Sequence, residues 1–393
     1  MLTMLNVAVI GVGMTKFGRH ENKTIRELWV EAAIKAIEDA KISLKDIQAA
    51  FIGCFSSEWW EHQGHLGSIC ADWLSICPTS AVRVENACAS SGAALRCGVL
   101  AIASGLYDIV LVGGVEKMYS GPRKLSDTAY ATEGLALASD EAYEQAQGLT
   151  FPGLYALMAT AHMHKYGTKK EHLSKIAVKN HKNAAKNPLA HFQKEITLEE
   201  AMNARMIAYP LNLYDCCPFS DGASAAILCK ADLARRFTDT IIHIIASTQA
   251  SDTIALHNRE SYVSLRSARV AAQEAYQMAK IESKDIDIAE VHDCFTIAEL
   301  IAYEDLGFCK PGEGGKLIDE GETEIGGRIP VNTDGGLKAK GHPVGATGVA
   351  MIYEIVKQLR GEAINQVKAE IGLAHNVGGS GGTCTIHILK RVS

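Results

Sequence analysis

The chain repeats part of itself at a fixed distance, and this repeat limits the available folds more than any other feature. Ala40-Lys41-Ile42-Ser43-Leu44-Lys45-Asp46-Ile47 returns as Ala279-Lys280-Ile281-Glu282-Ser283-Lys284-Asp285-Ile286, a constant offset of 239. In each copy a helical pattern comes first, Leu28 to Asp39 and Ala268 to Met278. An apolar strand follows, Ala50-Phe51-Ile52 and Ala289-Glu290-Val291. A shared helix–turn–strand frame points to duplication. A weaker echo extends it: Ser91-Gly92-Ala93-Ala94 and Thr347-Gly348-Val349-Ala350 each open a helix, followed by Ile109-Val110-Leu111-Val112 and Ile371-Gly372-Leu373-Ala374. Alternating strands and helices predict βα crossovers and mixed, mostly parallel sheets covered on both faces.

Between the halves the pattern changes. Lys117 to Pro218 carries polar stretches and helical periodicity (Leu154 to Tyr166, Lys169 to Asn183) with few strand signals, and reads as an inserted, mostly helical lid. Ser220 to Leu228 then returns to a strand of the first half. The expected division is a first half over 1–116 plus 219–238, a lid over 117–218 and a second half over 239–393.

At 393 residues the chain can bury a large core. A net charge of −6 gives no reason to expect nucleic acid. No apolar run reaches membrane-spanning length, and Met1 to Arg19 lacks a signal peptide's layout. It reads instead as a first strand, Val7-Ala8-Val9-Ile10, and a glycine turn. The 11 cysteines are odd in number and form no Cys-x-x-Cys pair. A reducing cytoplasm fits better than a disulfide framework or zinc ribbon. His162 and His164 lack a third ligand, so no metal is expected, and a solvated surface position is.

Glu85-Asn86-Ala87-Cys88-Ala89-Ser90-Ser91-Gly92 places one of these cysteines in a small-residue turn before a helix. Helix-start N–H groups and the positive end of the dipole favour thiolate there and can hold an oxyanion. Gly341-His342-Pro343-Val344-Gly345-Ala346-Thr347-Gly348 leads into the matching helix of the second half. It lacks the lysine of a P-loop, and Gly11-Val12-Gly13 is too short for a dinucleotide fingerprint. His292-Asp293-Cys294-Phe295 follows the second-copy strand directly. A pseudo-twofold arrangement brings Cys88 and His342 to one site: a thiol, an imidazole to deprotonate it, and backbone donors beside both. Acyl transfer is the chemistry this set favours.

These segments, with Asn332 to Gly336 and the closing run Gly378-Gly379-Ser380-Gly381-Gly382, resemble the thiolases, in the branch of sterol-carrier-type and archaeal acetyl-CoA acetyltransferase enzymes. The resemblance spans nearly the whole chain. It implies an α/β fold, a duplicated five-layered αβαβα arrangement with a helical lid, assembled as a homodimer or homotetramer. It implies Cys88 as nucleophile, His342 as its base and His292 as the partner of the enolate oxygen. Most thiolases carry a second cysteine just before the closing glycines; this chain reads Ala374-His375-Asn376-Val377 there. As in sterol-carrier-type relatives, that acid/base role falls to Cys294. The N–H groups of Cys88 and Gly378 are the expected oxyanion hole. Coenzyme A thioesters are the implied substrates, acetyl-CoA and acetoacetyl-CoA first, with no permanently bound cofactor. The branch also implies a link to hydroxymethylglutaryl-CoA synthase, a small zinc-containing bridging protein and the mevalonate pathway. Thiolysis of longer 3-ketoacyl chains, a decarboxylating ketosynthase with one cysteine and two histidines, and a non-catalytic scaffold subunit are the competing readings.

Overall fold

The computed structural model describes residues 5–119 and 128–392. The stretch of the expected lid over 120–127 lies outside the described residues, as do positions 1–4.

The first half runs β1 (Val7–Met14), α1 (Ile25–Ala40), β2 (Ala49–Gly53), α2 (Ser57–Glu61), α3 (Leu66–Trp73), β3 (Ser80–Val84), α4 (Ser90–Ala103) and β4 (Ile109–Glu116). The insertion then contributes α5 (Thr128–Ala136), α6 (Phe151–Tyr166), α7 (Lys170–Ala184), α8 (Leu198–Asn203) and a small hairpin, β5 (Met206–Ala208) with β6 (Leu211–Asn212). Strand β7 (Gly222–Lys230) returns to the first sheet between β4 and β1. The second half follows with β8 (Ile241–Ser251), α9 (Arg266–Ala279), β9 (Ile288–Val291), α10 (Thr296–Asp305), α11 (Gly314–Asp319), α12 (Thr347–Arg360), β10 (Ile371–Gly378) and β11 (Thr383–Val392).

The internal repeat holds at backbone level. Helices α1 and α9 both end on a left-handed lysine, Lys41 (φ 54) and Lys280 (φ 57). Asp46 and Asp285 then cap matching turns by accepting from the N–H of Ser43 (2.7 Å) and Glu282 (2.8 Å). Thr24 opens α1 with a full capping box, closed by the Glu27 carboxylate on its N–H at 2.7 Å.

The sheets are mixed, but the expected parallel majority is absent. The strand order is β3-β2-β4-β7-β1-β8-β11-β10-β9, with only β2–β3, β2–β4 and β9–β10 parallel among these neighbours. The reason is connectivity. A short glycine turn joins β10 to β11, which forces an antiparallel pair, and β4 reaches β7 through the insertion rather than through a crossover helix. The halves meet edge to edge where β1 pairs with β8 (Ala8 with His243, Val9 with Ile242).

Layering follows from burial. α1 packs on β1 and β7 from outside, and α9 packs on β8 and β11. Helices α4 and α12 are the central layer, touching each other and strands of both halves. They approach so closely that a Cβ on Gly348 would lie 2.4 Å from the Gly92 backbone nitrogen. Glycine is needed at this crossing because no side chain fits. The first turns of the two helices are thereby held side by side. Among the described residues, no helix is long and apolar enough to cross a membrane.

Candidate active site

Cys88 sits in a single 3-10 turn, Ala87–Ala89, immediately before α4. The turn is sharp: Ala87 adopts φ 48, a left-handed value rare for a residue with a side chain. Ser90 holds it, donating to the Ala87 carbonyl at 2.6 Å and accepting from the Asn86 N–H at 2.9 Å.

His342 comes from the turn before α12. Its N–H donates to the Ser220 hydroxyl at 3.1 Å, and its Nδ1 lies 2.7 Å from the Thr347 hydroxyl. That hydroxyl spends its own hydrogen on the Pro343 carbonyl at 3.1 Å. With its hydrogen there it accepts from the ring, an arrangement that puts the proton on Nδ1 and the lone pair on Nε2. The turn is braced by Glu116, whose carboxylate accepts from the N–H groups of Gly345 (3.1 Å), Phe55 (2.8 Å) and Ser56 (3.1 Å).

His292 follows β9 and is fully buried. Its ring meets that of His342 edge-on, with centroids 5.1 Å apart. The Cys88 sulfur and one ring nitrogen of each histidine lie within 4.8 Å of one another. Sulfur and two imidazoles are also a donor set suited to zinc, the sole such group among the described residues. His162 and His164 form no such site. His164 is exposed, while His162, against expectation, is buried with its ring between Thr168 (2.7 Å) and Glu304 (3.3 Å).

Asp293 does not face the thiol. Its carboxylate accepts from the N–H groups of Leu337 (2.7 Å) and Lys338 (3.1 Å) and from Asn180 of α7 (2.7 Å), tying the insertion to the catalytic loops. Cys294 is buried beside Cys217, whose N–H donates to the Cys294 carbonyl at 2.9 Å. Tyr155 of α6 reaches the same place: its hydroxyl donates to the Gly379 carbonyl at 3.1 Å and interacts with the Cys294 sulfur.

The electrostatics depart from the expected thiolate. Burial pushes the Cys88 thiol up to about 12, against the N–H groups of Gly379 and of Cys88 itself, which face the sulfur and act in the other direction. Burial, with Lys340 nearby, takes His342 down to about 3. Desolvation outweighs the helix start, so the resting pair is a neutral thiol beside a neutral imidazole. The Gly379 N–H faces the sulfur, and the adjoining Gly378 packs close to the Asn86 carbonyl, where a Cβ would stand 2.7 Å away.

Sequence reasoning passed over Asn376, Tyr155, Asn180 and Glu116. Asn376, in the segment before the closing glycines, lies at the centre of the site, its Nδ2 3.0 Å from the Cys88 carbonyl and 3.1 Å from His292 Nδ1. A cavity of about 520 Å³ opens beside the elbow, lined by Phe55, Asn86, Ala87, Leu137, Gly378 and Gly379 among others. Trp59 and Trp60 pack within the chain, on Tyr130.

The arrangement of thiol, paired imidazoles and opposed N–H groups on a duplicated fold agrees with comparisons to known proteins. Residues 7–232 match the family description "Thiolase, N-terminal domain", and residues 248–391 match "Thiolase C-terminal domain-like". The chain belongs to the thiolase family. It is 50% identical over 390 residues to an acetyl-CoA acetyltransferase of Methanothermobacter thermautotrophicus, covering 99% of this chain and 100% of the relative. A second relative of that name, from Methanocaldococcus jannaschii, is 48% identical over 396 residues, covering 98% and 99%. Among solved structures, the Ltp2-ChsH2(DUF35) aldolase superimposes with a TM-score of 0.84 at 28% identity, covering 98% of each chain. This thiolase is therefore an acyltransferase on a five-layered fold.

Proposed function

We propose that this thiolase is an acetyl-CoA C-acetyltransferase, joining two acetyl-CoA into acetoacetyl-CoA and reversing the reaction when CoA is abundant. The observation that carries the reading is the Cys88 sulfur and one ring nitrogen each of His292 and His342 gathered within 4.8 Å of one another, beside the paired central helices.

Attack begins when the Cys88 sulfur adds to the thioester carbonyl and its proton passes to His342 Nε2. The tetrahedral oxyanion is held by the N–H groups of Cys88 and Gly378. Collapse expels CoA thiolate, which recovers the proton from His342. A second acetyl-CoA enters, and Cys294, as thiolate, takes its α-proton while His292 holds the enolate oxygen. The carbanion attacks acetyl-Cys88, the C–C bond forms, and the C–S bond to Cys88 breaks. The α-proton held by Cys294 then passes to the departing Cys88 thiolate, so both sulfurs end in the forms in which they began. Because the pair rests neutral, proton transfer accompanies attack rather than preceding it.

Several finer features belong to the same proposal. Domain limits are 1–116 plus 219–238, 117–218 and 239–393. The enzyme is cytoplasmic, a homodimer or homotetramer, and feeds the mevalonate pathway. Its partners are hydroxymethylglutaryl-CoA synthase and a small zinc-containing bridging protein. The names of both archaeal relatives support the substrate.

The test is thiolysis of acetoacetyl-CoA by free CoA, read as loss of enolate absorbance, with Cys88→Ala alongside. Rapid loss that vanishes in the variant supports the reading. Activity confined to longer 3-ketoacyl-CoAs, or unaffected by Cys88→Ala, overturns it.

A further inference from the structure

We propose that Asn376 fixes the tautomer of His292, making His292 Nε2–H the donor that holds the substrate's thioester oxygen; the second clause rests on the acyl-transfer reading above. Asn376 lies on β10 and is buried. One end of its carboxamide is 3.0 Å from the Cys88 carbonyl and 3.1 Å from His292 Nδ1. A backbone carbonyl can only accept, so the atom facing it must be the amide nitrogen. This settles which way the amide points, a choice that its shape alone leaves open. The second amide hydrogen then faces His292 Nδ1, which must be a bare acceptor. A neutral imidazole bare at Nδ1 carries its hydrogen on Nε2.

Three further observations agree. His292 Nε2 is buried and has no hydrogen-bond partner among the described residues, an expensive state for an N–H that no ligand ever engages. The charged form is disfavoured from every side: burial, His342 from its turn and His375 from β10 all hold His292 well below the ordinary imidazole range, and the Cys88 thiol opposite is neutral. The carboxamide cannot swing. A Cβ on Gly348 would lie 2.5 Å from its Oδ1 and one on Gly92 2.9 Å, so the first turns of α12 and α4 wall it in. The His292 N–H, donating to His375 Nδ1 at 3.3 Å, anchors the backbone of the same residue.

The consequence is directional. An Nε2–H meets the negative charge that develops on the thioester oxygen as the α-proton leaves, whereas the other tautomer would oppose it with a lone pair. Asn376 is thus a positioning residue that acts through His292.

The test begins with nitrogen NMR of the histidine-labelled wild type, His292 being assigned by the signal lost in His292→Gln. A protonated Nε2 and bare Nδ1 across neutral pH are expected; a protonated Nδ1 overturns the proposal. Asn376→Asp is the second arm. A carboxylate there accepts from Nδ1–H, so a neutral His292 loses its Nε2 hydrogen and only the imidazolium remains a donor. Turnover should then fall as pH rises through the new His292 pKa, with a loss of roughly 100- to 1000-fold on the alkaline side and little change in KM. Release of CoA on acylation of Cys88 should persist and shows that the elbow is intact. A wild-type pH profile with unchanged His292 signals in Asn376→Asp overturns the proposal. Should that variant not fold, the wild-type spectrum decides alone. An Nε2–H tautomer in a protein without thiolysis would sink the functional reading and leave the tautomer assignment standing.

Discussion

Thr347→Val examines the other imidazole. Thr347 is 1% exposed, and its hydroxyl serves two groups, accepting from His342 Nδ1 at 2.7 Å and donating to the Pro343 carbonyl at 3.1 Å. Valine matches its shape but not its chemistry, leaving the His342 Nδ1–H without a partner, while the Pro343 carbonyl still accepts from the Ala346 N–H at 2.9 Å. Such a group costs about 1–3 kcal/mol, so unfolding free energy should fall by about that much if the ring stays in place. A ring turn that finds Nδ1–H another partner saves part of this, but it spoils the base. The imidazole then no longer presents its Nε2 lone pair to the thiol. Losing about 1–3 kcal/mol of orientation, at about 1.4 kcal/mol per factor of ten, corresponds to a roughly 5- to 150-fold slower acylation of Cys88.

The assay is the burst of CoA released from acetyl-CoA, beside chemical denaturation of the same preparations. KM should hold, because the hydroxyl does not face the thiol. Thr347→Ser keeps the hydroxyl and should retain most of the rate. A valine variant within twofold of wild type in both acylation and stability would refute the tautomer reasoning for His342.

Two more outcomes follow from the same geometry. Zinc ions should inhibit in competition with acyl-CoA and be reversed by EDTA, because Cys88, His292 and His342 offer three donors within 4.8 Å of one another; insensitivity to zinc at stoichiometric excess would count against that donor geometry. Stability should also drop as acid is added: His342, His375 and His387 are each held down to about 3 in the fold, against about 6.5 in the unfolded chain. A depressed folded value contributes stability that is full above the unfolded value and lost below it, at about 1.4 kcal/mol per pH unit for each histidine. Melting curves from pH 7.5 to 5 check this, and a flat melting temperature would contradict it.

The fold was legible because duplication is a pattern in one dimension. The repeated Lys-x-x-x-Lys-Asp-Ile segment lies in turns whose left-handed lysines and capping aspartates depend only on near neighbours. The sheet polarity was not legible. It depends on which connection is a glycine turn and which is a long insertion, and alternation of helices and strands does not distinguish them. The residues that meet in the site were visible for a related reason: Cys88, His292 and His342 each stand next to a helix or strand end that the repeat locates. Their protonation was not. A helix start lowers a thiol's pKa, and read alone the Ala-Cys-Ala turn argues for thiolate; closing α4, α12 and β10 around it removes the water that a thiolate needs, and the balance reverses. Asn376 shows the limit most clearly. In sequence it is only an asparagine in a segment without a cysteine. Its meaning depends on two atoms supplied by Cys88 and His292, 288 and 84 positions away, and only their simultaneous approach reveals which way the amide faces. Elements and their ends can be read locally, but the proton on a catalytic ring is set by partners that the fold alone brings together.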